Sequence, residues 1–432
     1  MLNINAKLNE LENKGKKIQI GLVGAGQMGT GMVGQMALMK GLKTAILCDI
    51  NLENARNAFV ESGVDPAEII EANTVESAQN AWERGKYIIT SDHEIVTKMG
   101  QVDVVIDATG IPEVGARIAV DSIYNGKHVV MLNVEADITV GPLLKKMADS
   151  AGVVYTGSAG DEPGAIKELY DFADGLGFEV VACGKGKNNP LDYEANPSTV
   201  QETAIKKGVN PKMLTSFVDG TKTMVEMTCV ANAVGFVPDK TGMHGPSCNV
   251  EDLPKIFSLK EQGGILSKKK VVDFVNGVAP GVFVIVTTEL EVIRKELEYV
   301  SMGKGPNYVF YRPYHLTSIE TPLSAARAYI YKEATIAPLP RTPHAETVAV
   351  AKIDLKKGEL LDGIGGYTVY GTIDTYESAL LKNALPLGLV NKNVKLKTDV
   401  RKGEIITYDM VELDENSFIL QLRRLQDRLF AK

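Results

Sequence analysis

Residues 18–29 read I-Q-I-G-L-V-G-A-G-Q-M-G, a short apolar run that ends in Gly24, Gly26 and Gly29. A helix-like stretch from Thr30 to Met39 follows. The spacing is that of a dinucleotide-binding turn, and each glycine has its own task. Gly24 permits the tight turn, Gly26 lets the backbone approach a pyrophosphate, and Gly29 lets the new helix pack closely on the strand. The N–H groups at the helix start, around Gln27 and Met28, then face the phosphates. Ordinary βα turns are also glycine-rich, so the context decides. The next strand, T-A-I-L-C-D, ends in Asp49, about 20 residues beyond Gly29, where an acid accepts hydrogen bonds from an adenosine ribose.

Outward from this turn the chain alternates strand and helix signals as far as Gly157. Apolar runs at 18–23, 44–48, 87–90, 102–107, 128–132 and 153–156 are separated by helix-like runs at 51–62, 75–84, 114–125 and 140–151. That alternation predicts a doubly wound parallel sheet, a Rossmann-type α/β domain over 17–157. Beyond Gly160 the rhythm changes. Helix-like 164–177, strand-like 178–183, the loop G-K-G-K-N-N-P-L-D at 184–192, helices at 199–207 and 211–233, and three later strand-like runs predict an α/β mixed-sheet catalytic domain over 158–336. Its amphipathic segment 322–333 is expected to return and cover the first domain. The proline-rich stretch A-P-L-P-R-T-P at 337–343 reads as a stiff linker.

An internal repeat follows: A-K-I-D-L-K-K-G-E at 351–359 recurs as L-K-T-D-V-R-K-G-E at 396–404. Each copy reads as a strand, a tight turn and a strand entry, so 345–415 is expected to be a small β-rich module, with a C-terminal helix over 416–432.

The bulk numbers narrow the function class. At 432 residues with 44% hydrophobic and 23% charged, the composition is that of a globular protein of two or three domains. A net charge of −7 and no long Lys/Arg run argue against nucleic acid as partner. The polar first residues lack the core of a signal peptide, and no apolar run reaches membrane-spanning length, so a cytoplasmic protein without a membrane partner is expected. Cys48, Cys183, Cys229 and Cys248 are scattered, which disfavours zinc or disulfide frameworks.

The C-terminal module resembles an SAF domain (β-clip), carried by the two D-[LV]-[KR]-K-G-E turns. Residues 18–135 resemble the NAD-binding domain of homoserine dehydrogenases through G-A-G-Q-M-G at 24–29, D-A-T-G at 107–110 and V-V-M-L-N-V-E at 129–135. With G-D-E-P-G at 160–164, G-K-G-K-N-N at 184–189, N-P-K-M-L at 210–214, F-V-D-G-T-K-T-M-V-E-M at 217–227 and M-H-G-P at 243–246, almost the whole chain resembles the 1-deoxy-D-xylulose 5-phosphate reductoisomerase-like oxidoreductases. The resemblance implies an NAD(P)H-dependent oxidoreductase, and for the best-known family function a reductoisomerase making 2-C-methyl-D-erythritol 4-phosphate. D-G-T-K-T at 219–223 departs from the N-G-T-x-N of homoserine dehydrogenases, which weighs against homoserine as substrate. Asp49 favours NADH because an acid repels a 2′-phosphate, whereas the resemblance points to NADPH; both forms stay open.

For the nicotinamide side, small Ala108, Thr109 and Gly110 at a strand end permit close approach, and Asn133 and Glu135 end the neighbouring strand on the same sheet edge. For the substrate side, Lys185 and Lys187 in the glycine loop suit a small anionic substrate, and either amine can act on the oxygen of a reacting carbonyl if burial lowers its pKa. Asp161 and Glu162 stand at a turn before a helix, as capping acids or as groups that orient substrate hydroxyls or bind a divalent metal. Asp219, Lys222 and Glu226 fall at helical spacings of three and four, as an ion-pair stripe or a substrate-facing set. No spaced cluster demands a metal. The expected enzyme acts on the CH–OH group of a sugar phosphate or sugar acid, and is expected to be a homo-oligomer. The alternatives are a dehydrogenase of an amino-acid-type hydroxy acid, or a non-catalytic protein that binds NAD(P) and responds to it.

Overall fold

The computed structural model describes residues 3–430. The chain forms two compact units, one comprising the residues up to Gly164 together with Leu316–Pro340, the other Ala165–His315 and the chain from Arg341 onward.

The first unit is built on seven strands: β1 (Ile18–Val23), β2 (Leu42–Cys48), β3 (Ile69–Glu71), β4 (Tyr87–Thr90), β5 (Val104–Asp107), β6 (His128–Met131) and β7 (Tyr155–Gly157). All pair in parallel, in the order β3-β4-β2-β1-β5-β6-β7. The strands are mostly apolar because both faces are covered. Ile20 and Leu22 enter one core with Met32, Phe59 and Ile106, while Val23 enters the other with Ile46, Val96 and Val105. Each such fully buried aliphatic side chain contributes about 1.5–3 kcal/mol. The segment Thr321–Tyr331 is a helix of this unit and places Ala325 and Ala326 in the first of these cores.

In the first unit two α-helices and one strand went unread in the sequence. The polar N-terminal stretch contains a helix, Ile4–Asn13, that buries only Ile4 and Leu8, too sparse a stripe to stand out. The three-residue β3 and the six-residue helix His93–Lys98 are too short to show a period.

The second unit contains a mixed sheet of β8 (Glu179–Lys187), β9 (Val237–Pro238), β10 (Val271–Asn276), β11 (Val282–Thr287) and β12 (Asn307–Arg312), in the order β12-β11-β8-β10-β9. The sequence placed a loop at 184–192, and this is corrected: β8 runs on through Gly184, Lys185, Gly186 and Lys187, pairing with β10 and β11. The glycines are there for room. A Cβ on Gly184 would lie 2.2 Å from the Phe283 ring, and one on Gly186 2.3 Å from the Ala279 backbone nitrogen. Close approach, not a turn, explains them.

The helix expected over 211–233 is two helices, Pro211–Val218 and Thr221–Val234, broken at Gly220 with φ +83°. A Cβ at Gly220 would meet the Leu191 side chain at 2.5 Å, so glycine is required twice over.

The C-terminal β module belongs to this second unit. It pairs β13 (Ala345–Ala351) with β14 (Val369–Thr375) and β15 (Lys395–Leu396) with β16 (Val411–Glu412), all antiparallel. The repeat turns face each other: Leu355 and Val400 exchange backbone hydrogen bonds of 2.8 and 2.9 Å. Asp399 accepts from the Lys357 N–H at 2.9 Å and Asp354 from the Lys402 N–H at 2.8 Å. The two copies are thus related by a local pseudo-twofold.

The module also walls in the helix Thr221–Val234, which is buried almost all round. Thr228 and Thr347 share a hydroxyl hydrogen bond of 2.8 Å, and Asn232 accepts from the N–H groups of His344 and Ala345 at 2.7 and 3.0 Å. Helix Phe418–Phe430 docks through Arg423, whose buried guanidinium donates to Glu346 at 2.6 Å. Among the described residues no helix is long and apolar enough to cross a membrane.

Candidate active site

In the first unit the strand order reverses direction at β1, between β2 and β5, which is where open parallel sheets bind nucleotides. The turn after β1 has the geometry its glycines imply. Gly24 has φ +104°, and a Cβ there would lie 2.7 Å from the Ala108 carbonyl oxygen in the turn after β5. A Cβ on Gly29 would lie 1.9 Å from the Gly24 oxygen, so the helix Gln27–Leu38 is seated against the strand. Gly26, by contrast, has open space where its Cβ would be, and as N-cap it offers no side chain to the helix N–H groups. Gln27 is exposed and Met28 packs part of its side chain on the core. A cradle whose N-terminal amides are uncapped fits a pyrophosphate.

Asp49 does double work. One carboxylate oxygen accepts from the Ala25 N–H at 2.7 Å and the other from the Asn51 N–H at 2.9 Å, which pins the end of β2 to the glycine turn. The neighbouring turn is braced by a residue given no role from sequence, Asp107. It is fully buried, accepts from Thr109 N–H at 2.9 Å and Thr109 hydroxyl at 2.7 Å, and from the Asn133 amide at 3.0 Å. Burial raises its carboxyl above the usual range, opposed by these hydrogen bonds.

Asn133 is committed to structure. Its amide nitrogen also donates to the Ile111 carbonyl at 3.0 Å, and its oxygen caps the next helix at the Ala136 N–H, 3.1 Å away. The side chain therefore holds two turns in place. Glu135 is buried in the first turn of that helix, Ala108 and Thr109 are half-buried, and Gly110, with φ +66°, is exposed.

Asp161 and Glu162 lie in a tight strand-to-helix turn of this unit. A Cβ on Gly160 would meet Thr317 at 2.6 Å and one on Gly164 the Ser158 oxygen at 2.0 Å, which explains both flanking glycines. Asp161 is buried, and Glu162 opens the helix Glu162–Gly175.

In the second unit the side chains of Lys185 and Lys187 share one face of β8, as alternate residues must. Both are buried, 5% and 6% exposed. The Lys185 ammonium pairs with the Glu226 carboxylate, itself 1% exposed, on the helix Thr221–Val234. Lys187 donates to the carbonyls of Asn189 at 2.6 Å and Phe217 at 2.9 Å. Burial, and then the charge of Lys185, push the Lys187 amine down to about 8, against the opposing pull of Asp219 and Glu226. An amine in that range can both give and take a proton near neutral pH.

Lys222 is half-buried one turn before Glu226 on the same helix. Asp219 is not on that helix face, which corrects the expected stripe: Gly220 intervenes, and Asp219 accepts from the Thr221 N–H at 2.8 Å. Its carboxylate is fully buried against Lys352, 2.8 Å away. Lys352 was invisible as a partner because it sits far along the chain, at the end of β13. The structure thus brings Lys185, Lys187, Asp219 and Glu226 into one buried charged group.

Residues 24–155 match the family model described as homoserine dehydrogenase, NAD binding domain. Residues 160–321 match the one described as oxidoreductase DRL, catalytic domain. The chain is a nicotinamide-dependent oxidoreductase. A search of curated proteins found no match. Among solved structures, it is similar to scyllo-inositol dehydrogenase from Lactobacillus casei with bound NAD(H) and scyllo-inositol, at 14% identity, TM-score 0.37, over 69% of this chain and 76% of that one. It is also similar to the WlbA dehydrogenase from Bordetella pertussis in complex with NADH and UDP-GlcNAcA, at 15% identity, TM-score 0.33, over 63% of this chain and 69% of that one.

Proposed function

We propose that the enzyme interconverts a CH–OH group and a carbonyl on a small anionic hydroxy or keto compound, a sugar phosphate or sugar acid. The glycine turn of the first unit holds the NAD(P) cofactor, which supplies the hydride chemistry when bound. The substrate is handled by β8 and the helix Thr221–Val234 of the second unit. The observation that carries this reading is the Lys187 amine, buried beside a second lysine and brought to about 8.

In this reading Lys187 gives a proton to the carbonyl oxygen during reduction and takes one from the hydroxyl during oxidation. Glu226 pairs with Lys185, and Lys187 and Lys222 are the further cations assigned to the substrate anion. Asp161 and Glu162 orient substrate hydroxyls. In a reductoisomerase version, removal of a hydroxyl proton precedes a shift of the carbon skeleton, and reduction of the resulting aldehyde follows. The facing repeat turns support an SAF assignment for the C-terminal module.

The experiment is a panel of sugar phosphates, sugar acids and hydroxy acids followed at the nicotinamide absorbance. Turnover of an anionic member is expected. Tight cofactor retention with no turnover of any member would instead make this a nucleotide-responsive binding protein.

A further inference from the structure

The C-terminal module reaches the reactive group through one side chain. Lys352, at the end of β13, is 2% exposed, and its ammonium has three acceptors: Asp219 at 2.8 Å, the Ala195 carbonyl at 2.7 Å and the Gly366 carbonyl at 2.8 Å. Two of these lie in the segments that hold Lys187. Ala195 follows Asn189 in one loop, and Asp219 follows Phe217 at the end of the helix Pro211–Val218. The segments are also tied to each other by the Asp192 N–H, which donates to the Val218 carbonyl at 3.0 Å.

We propose that Lys352 is a positioning residue for Lys187, acting through Asp219, which lies two residues beyond the Phe217 carbonyl that receives the Lys187 ammonium. This rests on the role assigned to Lys187 above. The module is then more than an appendage: it supplies the counter-charge on which the substrate-handling group depends.

Lys187 is faced by Lys185 on its own strand, by Asp219 at the helix junction and by Glu226 on the helix Thr221–Val234. Asp219 is faced by Lys352 and Thr221, and Tyr370, stacked on Tyr193, feels its charge. Burial raises the Asp219 carboxyl above its ordinary value, and Lys352 is the chief influence opposing that rise. Without Lys352, a carboxylate buried this deeply takes up a proton rather than remain unpaired. Lys187 then loses an anionic neighbour that favours its charged form, so its proton is held less tightly.

The test is a pH titration of the Lys187 side chain by NMR in the full-length, lysine-labelled protein, with the signal assigned from Lys187→Arg. Wild type is expected to titrate near 8. Lys352→Met and Asp219→Asn are each expected to titrate about one pH unit lower. The double variant should titrate no lower than either, because both changes remove the same charge from Lys187's surroundings. A Lys352→Met protein that titrates like wild type overturns the proposal.

Should Lys352→Met not fold, the double variant, which buries no unpaired charge, carries the test. Agreement with Asp219→Asn is the expected result, and a higher titration shows that Lys352 acts on Lys187 other than through Asp219, which overturns it. The titration needs no substrate. Absence of turnover with the expected shifts therefore refutes the functional reading alone, and turnover with unmoved titrations refutes this inference alone.

Discussion

Replacing Glu226 by Gln removes one charge from the buried pair with Lys185 while keeping the side chain's shape. Both partners are almost wholly withdrawn from water, with side-chain exposures of 6% for Lys185 and 1% for Glu226. Breaking such a pair from one side costs about 3–5 kcal/mol, because the remaining charge stays buried without compensation. The lysine can escape by shedding its proton, but at neutral pH that costs a similar amount, roughly 4–5 kcal/mol from an ordinary lysine pKa. At roughly 2–4 °C per kcal/mol for a unit of this size, the melting temperature should fall by roughly 6–20 °C.

Removing both charges behaves differently. In Lys185→Met/Glu226→Met no charge is left stranded, and most of the lost stability should return. The assay is urea and thermal unfolding of wild type, the singles and the double, repeated near pH 10. The Glu226→Gln deficit should shrink there, since the stranded lysine deprotonates at little cost. A deficit below about 1 kcal/mol would place the pair in the range of solvent-screened surface bridges and refute the reasoning. So would a double variant as unstable as the two singles summed.

Other consequences are as specific. Gly29→Ala, whose Cβ would sit 1.9 Å from the Gly24 oxygen, should lower both stability and NADH affinity; Gly26→Ala, with open space, should lower affinity alone, as read by calorimetry and cofactor titration. In the pH profile of kcat, oxidation of the alcohol should rise through about 8 as Lys187 becomes neutral, and reduction should fall through the same pH as its ammonium is lost; limbs of the opposite sign would exclude Lys187 as the proton carrier. Gly358→Ala and Gly403→Ala, at φ +92° and +80° with no neighbour in the way, should each cost about 1 kcal/mol from backbone strain alone. A marked inequality between those two would contradict the pseudo-twofold.

The nucleotide-binding half was legible because its signals are local. The glycine turn, the apolar runs of a sheet covered on both faces and the acid ending β2 all lie within single short segments. The second unit was legible in residue type but not in placement. Gly184 and Gly186 read as a loop because a glycine in a strand removes side-chain packing, and only the Phe283 ring and the Ala279 backbone, distant in sequence, show why glycine is needed. Asp219 looked like a helix-face residue because the break at Gly220 depends on Leu191. Lys352 carries no local signal at all: its Ala195 contact spans 157 residues. The partners of Asn133, namely Asp107, Ile111 and Ala136, were equally hidden, because they lie on three separate turns and caps.

The central claim, that Lys187 handles the substrate's proton, is tested most directly by Lys187→Met, with kcat on an accepted substrate and NADH affinity measured on the same preparation. A fall in kcat of about 100-fold or more with cofactor affinity unchanged is the predicted result. Wild-type kcat in that variant would contradict the account.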